Sequence, residues 1–340
     1  MTKPITLKEI ARQLDLSVST VGRALTDDPQ ISRPTRERVK AAAAQLGYVA
    51  HSAARSMRSG RSSLVGLIIP DIENEFYGTL SKALAEIVSA ADLQLVLAIT
   101  EDDPASEEKQ VRSLLEARVS GLVITSSPRP TRATIAMLER SPSVQLIRRI
   151  HGLAAPWFGI NEDEALRVAT QHLIDLGHRR IGYVGASTSL STGRSRLEGY
   201  KSALREAGLP EIPHLICNGA PRPSFGAEAF DTMWSAGTRP TGIVTAGARL
   251  TVGVLQAAAR AGAAIPGDVS VVGYGDAPWW NEGLTTIALP VREIALTCGA
   301  FLVQRIREAG GKAGTAPAGE QAVTFASNLT LGTSTARLMG

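Results

Sequence analysis

No window of the 340 residues approaches the roughly 18 uninterrupted apolar residues that a membrane span needs, so no membrane partner is expected. Cysteine is nearly absent. Cys217 and Cys298 offer neither metal-ligand spacing nor a disulfide framework, which fits a reducing compartment. The opening residues, MTKPITLKEI, hold no apolar segment and no cleavage site, so export is not expected and the cytoplasm is. There is also no Walker-A sequence, no GxGxxG opening a strand–helix unit and no nucleophile–base constellation. An enzyme, such as a sugar kinase or dehydrogenase, is therefore disfavoured, and no cofactor is expected. The five histidines suggest no metal site. In HLIDLGHRR, Gly177 can end a helix, with His178, Arg179 and Arg180 at its negative end.

What is present is a large apolar fraction, 44%, and an uneven distribution of charge. The length suggests two or three domains. Residues 1–62 carry eleven Lys/Arg against five Asp/Glu, a net of +6. The whole chain is +4, so the remainder sums to −2. A basic head on a near-neutral body points to a polyanion partner for the head alone.

The head reads as three short helices. Thr6-Leu7-Lys8-Glu9 has the pattern of a capping box, and Leu7, Ile10, Ala11 and Leu14 follow at helical spacing. Asp15-Leu16 makes a turn, after which Ser17 can cap a second helix. That helix turns Val21, Ala24 and Leu25 inward and leaves Val18, Ser19, Gly22 and Arg23 outward. A third helix begins near Ser32 and runs through Val39, Ala42, Ala43 and Leu46 to Gly47. None is long enough to persist alone in water, but three can share one small core. A helix–turn–helix sets the N-terminal residues of its second helix against base edges in the major groove, and small residues there permit close approach. Gly22, which costs about 1 kcal/mol of helix propensity, suggests that something comes close. A three-helix protein-binding module is the competing reading, disfavoured by the net charge.

From Leu64 onward, apolar runs alternate with helical stretches: SLVGLII, LQLVLAI, GLVIT, SVQLIRR, RIGYVG, GIVTA and VSVVGY, with helices over 78–91 and 105–118 among those between. Such alternation predicts parallel sheets covered on both faces, in two similar halves. Ligands of open α/β sheets sit beyond the carboxyl ends of strands. Asp71–Tyr77, Arg148/Arg149 and Gly275–Trp280 meet that rule.

The segments TLKEIARQLDLSVSTVGRAL, ISRPTRERVKAAAAQLGY, AARSMRSGRSSLVGLIIPDIENEFY, HLIDLGHRRIGYVG, GRSRLEGYKSAL and VSVVGYGDAPWW…GLTTI, in this order, resemble the LacI/GalR family of bacterial transcription regulators over nearly the whole chain. The fold class implied is α/β: an all-α helix–turn–helix head (1–48), a hinge helix and linker (49–62), and a two-lobed periplasmic-binding-protein-like body with parallel sheets (63–340). The resemblance divides the body into an N-lobe of 63–160 and 289–320 and a C-lobe of 161–288 and 321–340.

It also implies site residues. Val18 and Ser19 correspond to base-reading positions, Arg23 to a further base contact, and Ser17 and Thr20 to phosphate contacts. Arg55 and Met57 fall in the hinge, with Met57 where a wedging leucine is usual and Ala50-His51 replacing a usual Pro-Asn pair. Methionine is apolar and pliable enough to keep the wedge role. Asn74, Phe76, Arg148, Arg196, Asp276 and Trp279 match effector contacts. Ile147, Gly275, Gly247 and Ala248 stand where relatives often carry hydrogen-bonding or acidic side chains. Retained arginines without those acceptors favour an anionic effector, a sugar acid or sugar phosphate, over a neutral sugar. The expected protein is an effector-controlled, sequence-specific DNA-binding regulator, most often a repressor of a carbohydrate or sugar-acid operon. Its partners would be operator DNA, a sugar-type effector and a second copy of itself. The tail LGTSTARLMG lacks leucine heptads, so a dimer without an extra tetramerisation helix is expected. A periplasmic-type solute-binding protein is the remaining alternative, disfavoured by the basic head.

Overall fold

The structure, a computed structural model, describes residues 5–48, 62–275, 283–308 and 321–338. The chain forms two units, residues 1–61 and 62–340.

In the first unit, α1 (Leu7–Leu14), α2 (Val18–Ala24) and α3 (Arg33–Gln45) share one core of Ile10, Ala11, Val21, Ala24, Val39, Ala42 and Ala43. Their ends follow local chemistry. Glu9 Oε2 accepts the Thr6 N–H at 2.6 Å and the Thr6 hydroxyl at 2.9 Å, so the glutamate half of the capping box is formed. Asp15 closes α1 in the left-handed region at φ 54°. Ser17 and Ser32 then cap α2 and α3 by accepting from Thr20 N and Thr35 N. Gly22 is buried, not outward as the helical spacing suggested.

The second unit alternates β1 (Leu64–Ile69), α4 (Glu75–Ala90), β2 (Gln94–Ile99), α5 (Pro104–Glu116), β3 (Gly121–Ile124), α6 (Arg132–Glu139), β4 (Ser143–Leu146) and β5 (Trp157–Ile160). It continues through α7 (Glu162–Asp175), β6 (Ile181–Ala186), α8 (Ser191–Glu206), β7 (Ile216–Gly219), α9 (Pro223–Ser235), β8 (Gly242–Ala246), α10 (Ala248–Arg260) and β9 (Ser270–Tyr274). The last elements are β10 (Thr286–Ala288), α11 (Val291–Glu308), β11 (Ala322–Phe325) and β12 (Asn328–Thr330).

Two six-stranded sheets result, ordered β11-β5-β4-β3-β1-β2 and β12-β10-β9-β8-β6-β7. All described pairings are parallel except β10 with β12. The central strands are buried along their length, as parallel strands covered on both faces must be. α11 returns to the first half, where Ile294, Cys298 and Leu302 join the core of β1, β4 and β5.

The expected placing of 321–340 in the C-lobe requires correction. β11 extends the first sheet, with Ala322 opposite Trp157 and Phe325 opposite Ile160. Pairing there satisfies the edge of β5 and buries Phe325 in the first core. The second sheet gains the tail only from β12 onward.

Candidate functional site

On the head, Ser17, Val18, Ser19 and Arg23 are exposed together and Thr20 is half-buried. Val18, 42% exposed, is an apolar side chain presented to solvent from the first turn of α2. Ser17 Oγ holds the Thr20 N–H at 3.0 Å and lies 2.9 Å from Ser19 Oγ and 2.8 Å from Thr20 Oγ1, so the hydroxyls form one local cluster. Arg23 donates to Gln30 Oε1 at 3.3 Å. The α1 turn and the Ser17 cap thus bring the sequence-expected contacts of 17–20 and 23 onto one surface. Arg55 and Met57 lie outside the described residues.

The body contains a cleft between the carboxyl ends of its two sheets, with about 770 Å³ of atom-free space, part of it open to solvent. Asn74, Phe76, Arg148 and Arg196 all line it. Asp276 and Trp279 lie outside the described residues. Asn74 also caps α4, its Oδ1 accepting the Phe76 N–H at 3.2 Å, and Phe76 stands edge-on to Tyr77 with ring centroids 5.1 Å apart.

Each arginine is held by a carboxylate that the sequence reading did not single out. Arg148, following β4, forms a two-pronged pair with Asp102, the second contact at 3.2 Å, and donates to Ser126 O at 2.9 Å. The Ser126-Ser127 turn is itself fixed by buried Glu107, which accepts Ser127 N at 2.5 Å and both serine hydroxyls at 3.1 Å. Burial pushes the Glu107 carboxyl above its usual pKa, against the pull of those hydrogen bonds. Arg196, from the middle of α8, donates through Nε and Nη2 to Glu162, both at 2.7 Å, and through Nη1 to Ala246 O at 2.9 Å. Its guanidinium lies over the Tyr274 ring, 4.1 Å from the centroid, and the Tyr274 hydroxyl also donates to Glu162. Burial acts against the charge of Arg196, but Glu162 more than offsets this and holds its pKa above the ordinary value. Tyr274, fully enclosed, is pushed well above 10 by burial.

A third pair spans the cleft. Arg249, in the first turn of α10, lies 2.7 Å from Glu73 and 3.7 Å from Asp71, both in the loop after β1. The surplus of arginine over carboxylate expected from the sequence is therefore absent among the described residues. Asp102, Glu162, Asp71 and Glu73 supply the acceptors that Ile147, Gly247, Ala248 and Gly275 do not. Asp71 and Tyr77 were within reach of the strand-end rule, as were Asp102 in the turn after β2 and Tyr274 at the end of β9. Glu162 follows β5, a four-residue strand with little signal in the sequence.

No helix among the described residues is long and apolar enough to cross a membrane. The profile for bacterial regulatory proteins of the lacI family matches residues 6–51, and that of the periplasmic binding protein-like domain matches residues 170–335. The ribose operon repressor of Escherichia coli (strain K12) is 30% identical over 314 residues, covering 89% of this chain and 93% of that one. The HTH-type transcriptional regulator GalR of Salmonella typhimurium is 28% identical over 294 residues, 85% of this chain and 86% of that one. Among solved structures, the lac repressor dimer bound to operator superposes with a TM-score of 0.82 at 24% identity, covering 98% of this chain and 100% of that one. The exposed first turn of α2, the paired sheets and the cleft agree with these likenesses, and the chain belongs to the LacI family: it is a ligand-responsive DNA-binding transcription regulator, not an enzyme.

Proposed function

We propose that this regulator is a cytoplasmic, homodimeric repressor of a carbohydrate catabolic operon, controlled by a neutral, polyhydroxylated sugar bound in the cleft. The observation that carries the ligand class is the internal neutralisation of the cleft arginines, Arg148 by Asp102, Arg196 by Glu162 and Arg249 by Glu73 and Asp71. A guanidinium already matched by a carboxylate has little left to offer a ligand's phosphate or carboxylate. The arginines still present single donors and Asp102 spare carboxylate lone pairs, which suit hydroxyls, and Phe76 supplies an apolar face. This departs from the anionic effector that the sequence favoured. The relative named as a ribose operon repressor supports a neutral sugar.

In this reading Ser17 and Thr20 hold phosphate, while Val18, Ser19 and Arg23 read bases. Residues 49–62, with Arg55 and Met57, form the hinge. A dimer follows from the need to read two half-sites of a near-palindromic operator, since one head covers only a few base pairs. Calorimetry of the full-length protein against neutral pentoses and hexoses, sugar acids and sugar phosphates tests the ligand class. A neutral sugar should bind with little dependence on salt and change operator affinity in fluorescence anisotropy. Tight binding of a sugar acid or phosphate that weakens with salt overturns the proposal.

A further inference from the structure

Glu162 is the first residue of α7, and its side chain is 5% exposed. It is not itself at the cleft surface; it stands behind Arg196, which is. Its two oxygens occupy the Nε–Nη2 edge of that guanidinium, the geometry in which a carboxylate matches its charge most fully. The helix N-terminus favours its negative charge, and the Tyr274 hydroxyl fixes one oxygen from the other side. Arg196 cannot swing free of it, because Ala246 O takes Nη1 and the Tyr274 ring lies under the guanidinium plane.

We infer that Glu162 determines the ligand class of the cleft, acting through Arg196: it fills the guanidinium's two-pronged edge and cancels its charge, so that hydroxyls are accepted and anions refused. Glu162 is thus a positioning residue with a consequence for specificity. The inference rests on the neutral-ligand reading above.

Replacing Glu162 by glutamine keeps the shape and the Tyr274 contact but leaves the Arg196 charge unmatched. Thermal unfolding and calorimetry of the full-length wild type, Glu162→Gln and Glu162→Asp, each with inorganic phosphate and with D-gluconate, read the effect. The glutamine variant should bind these anions roughly tenfold or more tighter than the wild type, the order of one charge-assisted hydrogen bond, with affinity falling as salt rises. Glu162→Asp, which keeps the charge, should refuse them as the wild type does. If Glu162→Gln is unfolded in anion-free buffer, phosphate should restore the fold by mass action. A folded glutamine variant as indifferent to anions as the wild type overturns the inference, as does an unfolded one that phosphate leaves unfolded. So does an aspartate variant that gains anion binding equally, since that is the mark of loosened structure. Wild-type binding of gluconate would instead sink the neutral-ligand reading itself, so the two failures are distinct.

Discussion

Arg148 in the first half of the body and Arg196 in the second each end in a two-pronged pair with a carboxylate, but they are carried differently. Arg148 and Asp102 both sit on turns beyond strands. Ile147 beside the arginine is left-handed at φ 61°, as are Glu101 at 53° and Asp102 at 61°. A β-branched residue in that region is strained, and such strain gathers where a turn must aim a side chain. Arg196 projects from the interior of a helix and Glu162 from the start of another, in ordinary helical backbone. Every described left-handed non-glycine residue of the body, Asp92, Glu101, Asp102, Arg118 and Ile147, lies in the first half. One half therefore aims its arginine with strained turns and partly wet partners, the other with rigid helices and dry ones. The second pair should dominate stability, the first should yield more easily.

The largest expected effect tests that order. In Arg196→Ala, Glu162 is left buried and unmatched, which costs about 3–5 kcal/mol. In Arg148→Ala, Asp102 keeps a side-chain exposure of 23% and can take up water, so about 1–3 kcal/mol is expected. Urea unfolding of both variants measures the difference. Equal losses would mean that the helix-borne pair has no advantage over the turn-borne one.

Acid should also act on the second half first. His178 is buried there, its Nε2 donating to Ala336 O at 3.1 Å and Nδ1 facing Thr241 Oγ1 at 3.0 Å, while His172 meets Thr335 at 3.0 Å. Burial holds both pKa values below 6.5, with Ala336 pulling His178 partly back up and Asp175 doing the same for His172. Below about pH 6.5 the unfolded chain binds protons that the folded chain refuses, so stability falls as pH drops through that value. The slope of unfolding free energy between pH 7 and 5.5 should flatten in His178→Gln. An unchanged slope would show that the tail contact does not govern acid sensitivity.

A gain is expected from the strained half. Glu101→Gly relieves about 1–2 kcal/mol of left-handed strain against about 0.5–1 kcal/mol of added freedom in the unfolded chain. The net should be a stabilisation of at most about 1.5 kcal/mol, read as a higher Tm. A lower Tm would remove strain from the account of the first half.

These contrasts bear on what the sequence could reveal. Strands β1, β3, β4, β6, β8 and β9 were legible because burial on both faces favours apolar runs, and the edge strand β2 because its own run, LQLVLAI, is apolar. β5, β7, β10, β11 and β12 were not, being short and held by their neighbours' edges rather than marked by an apolar run of their own. Missing β5 hid Glu162 as a strand-end residue, and with it the neutrality of Arg196. Missing β11 misplaced the tail, since sheet membership depends on a free edge elsewhere in the fold. Gly22 misled because propensity marks its cost but not which face of the helix carries it. The exposed start of α2 was easier, since Ser17 caps by local chemistry and the next turn follows from it.

The smallest expected effect concerns the pair that joins the two halves. Arg249 reaches from the first turn of α10 to Glu73 and Asp71 beyond β1, across the mouth of the cleft. Glu73 is 72% exposed, so the pair adds little to stability and salt should screen it. Its place at the mouth gives it leverage over exit rather than over fold. Separating the halves to release a ligand breaks this contact, whereas the pairs of Arg148 and Arg196 each lie within one half and survive. Glu73→Gln should therefore leave the Tm nearly unchanged and speed ligand dissociation by at most about fivefold, the kinetic equivalent of about 1 kcal/mol. Stopped-flow release at low and high salt measures it: the wild type should approach the variant's rate as salt rises. A variant that releases ligand no faster than the wild type at low salt would show that the halves part without breaking the Arg249 contact.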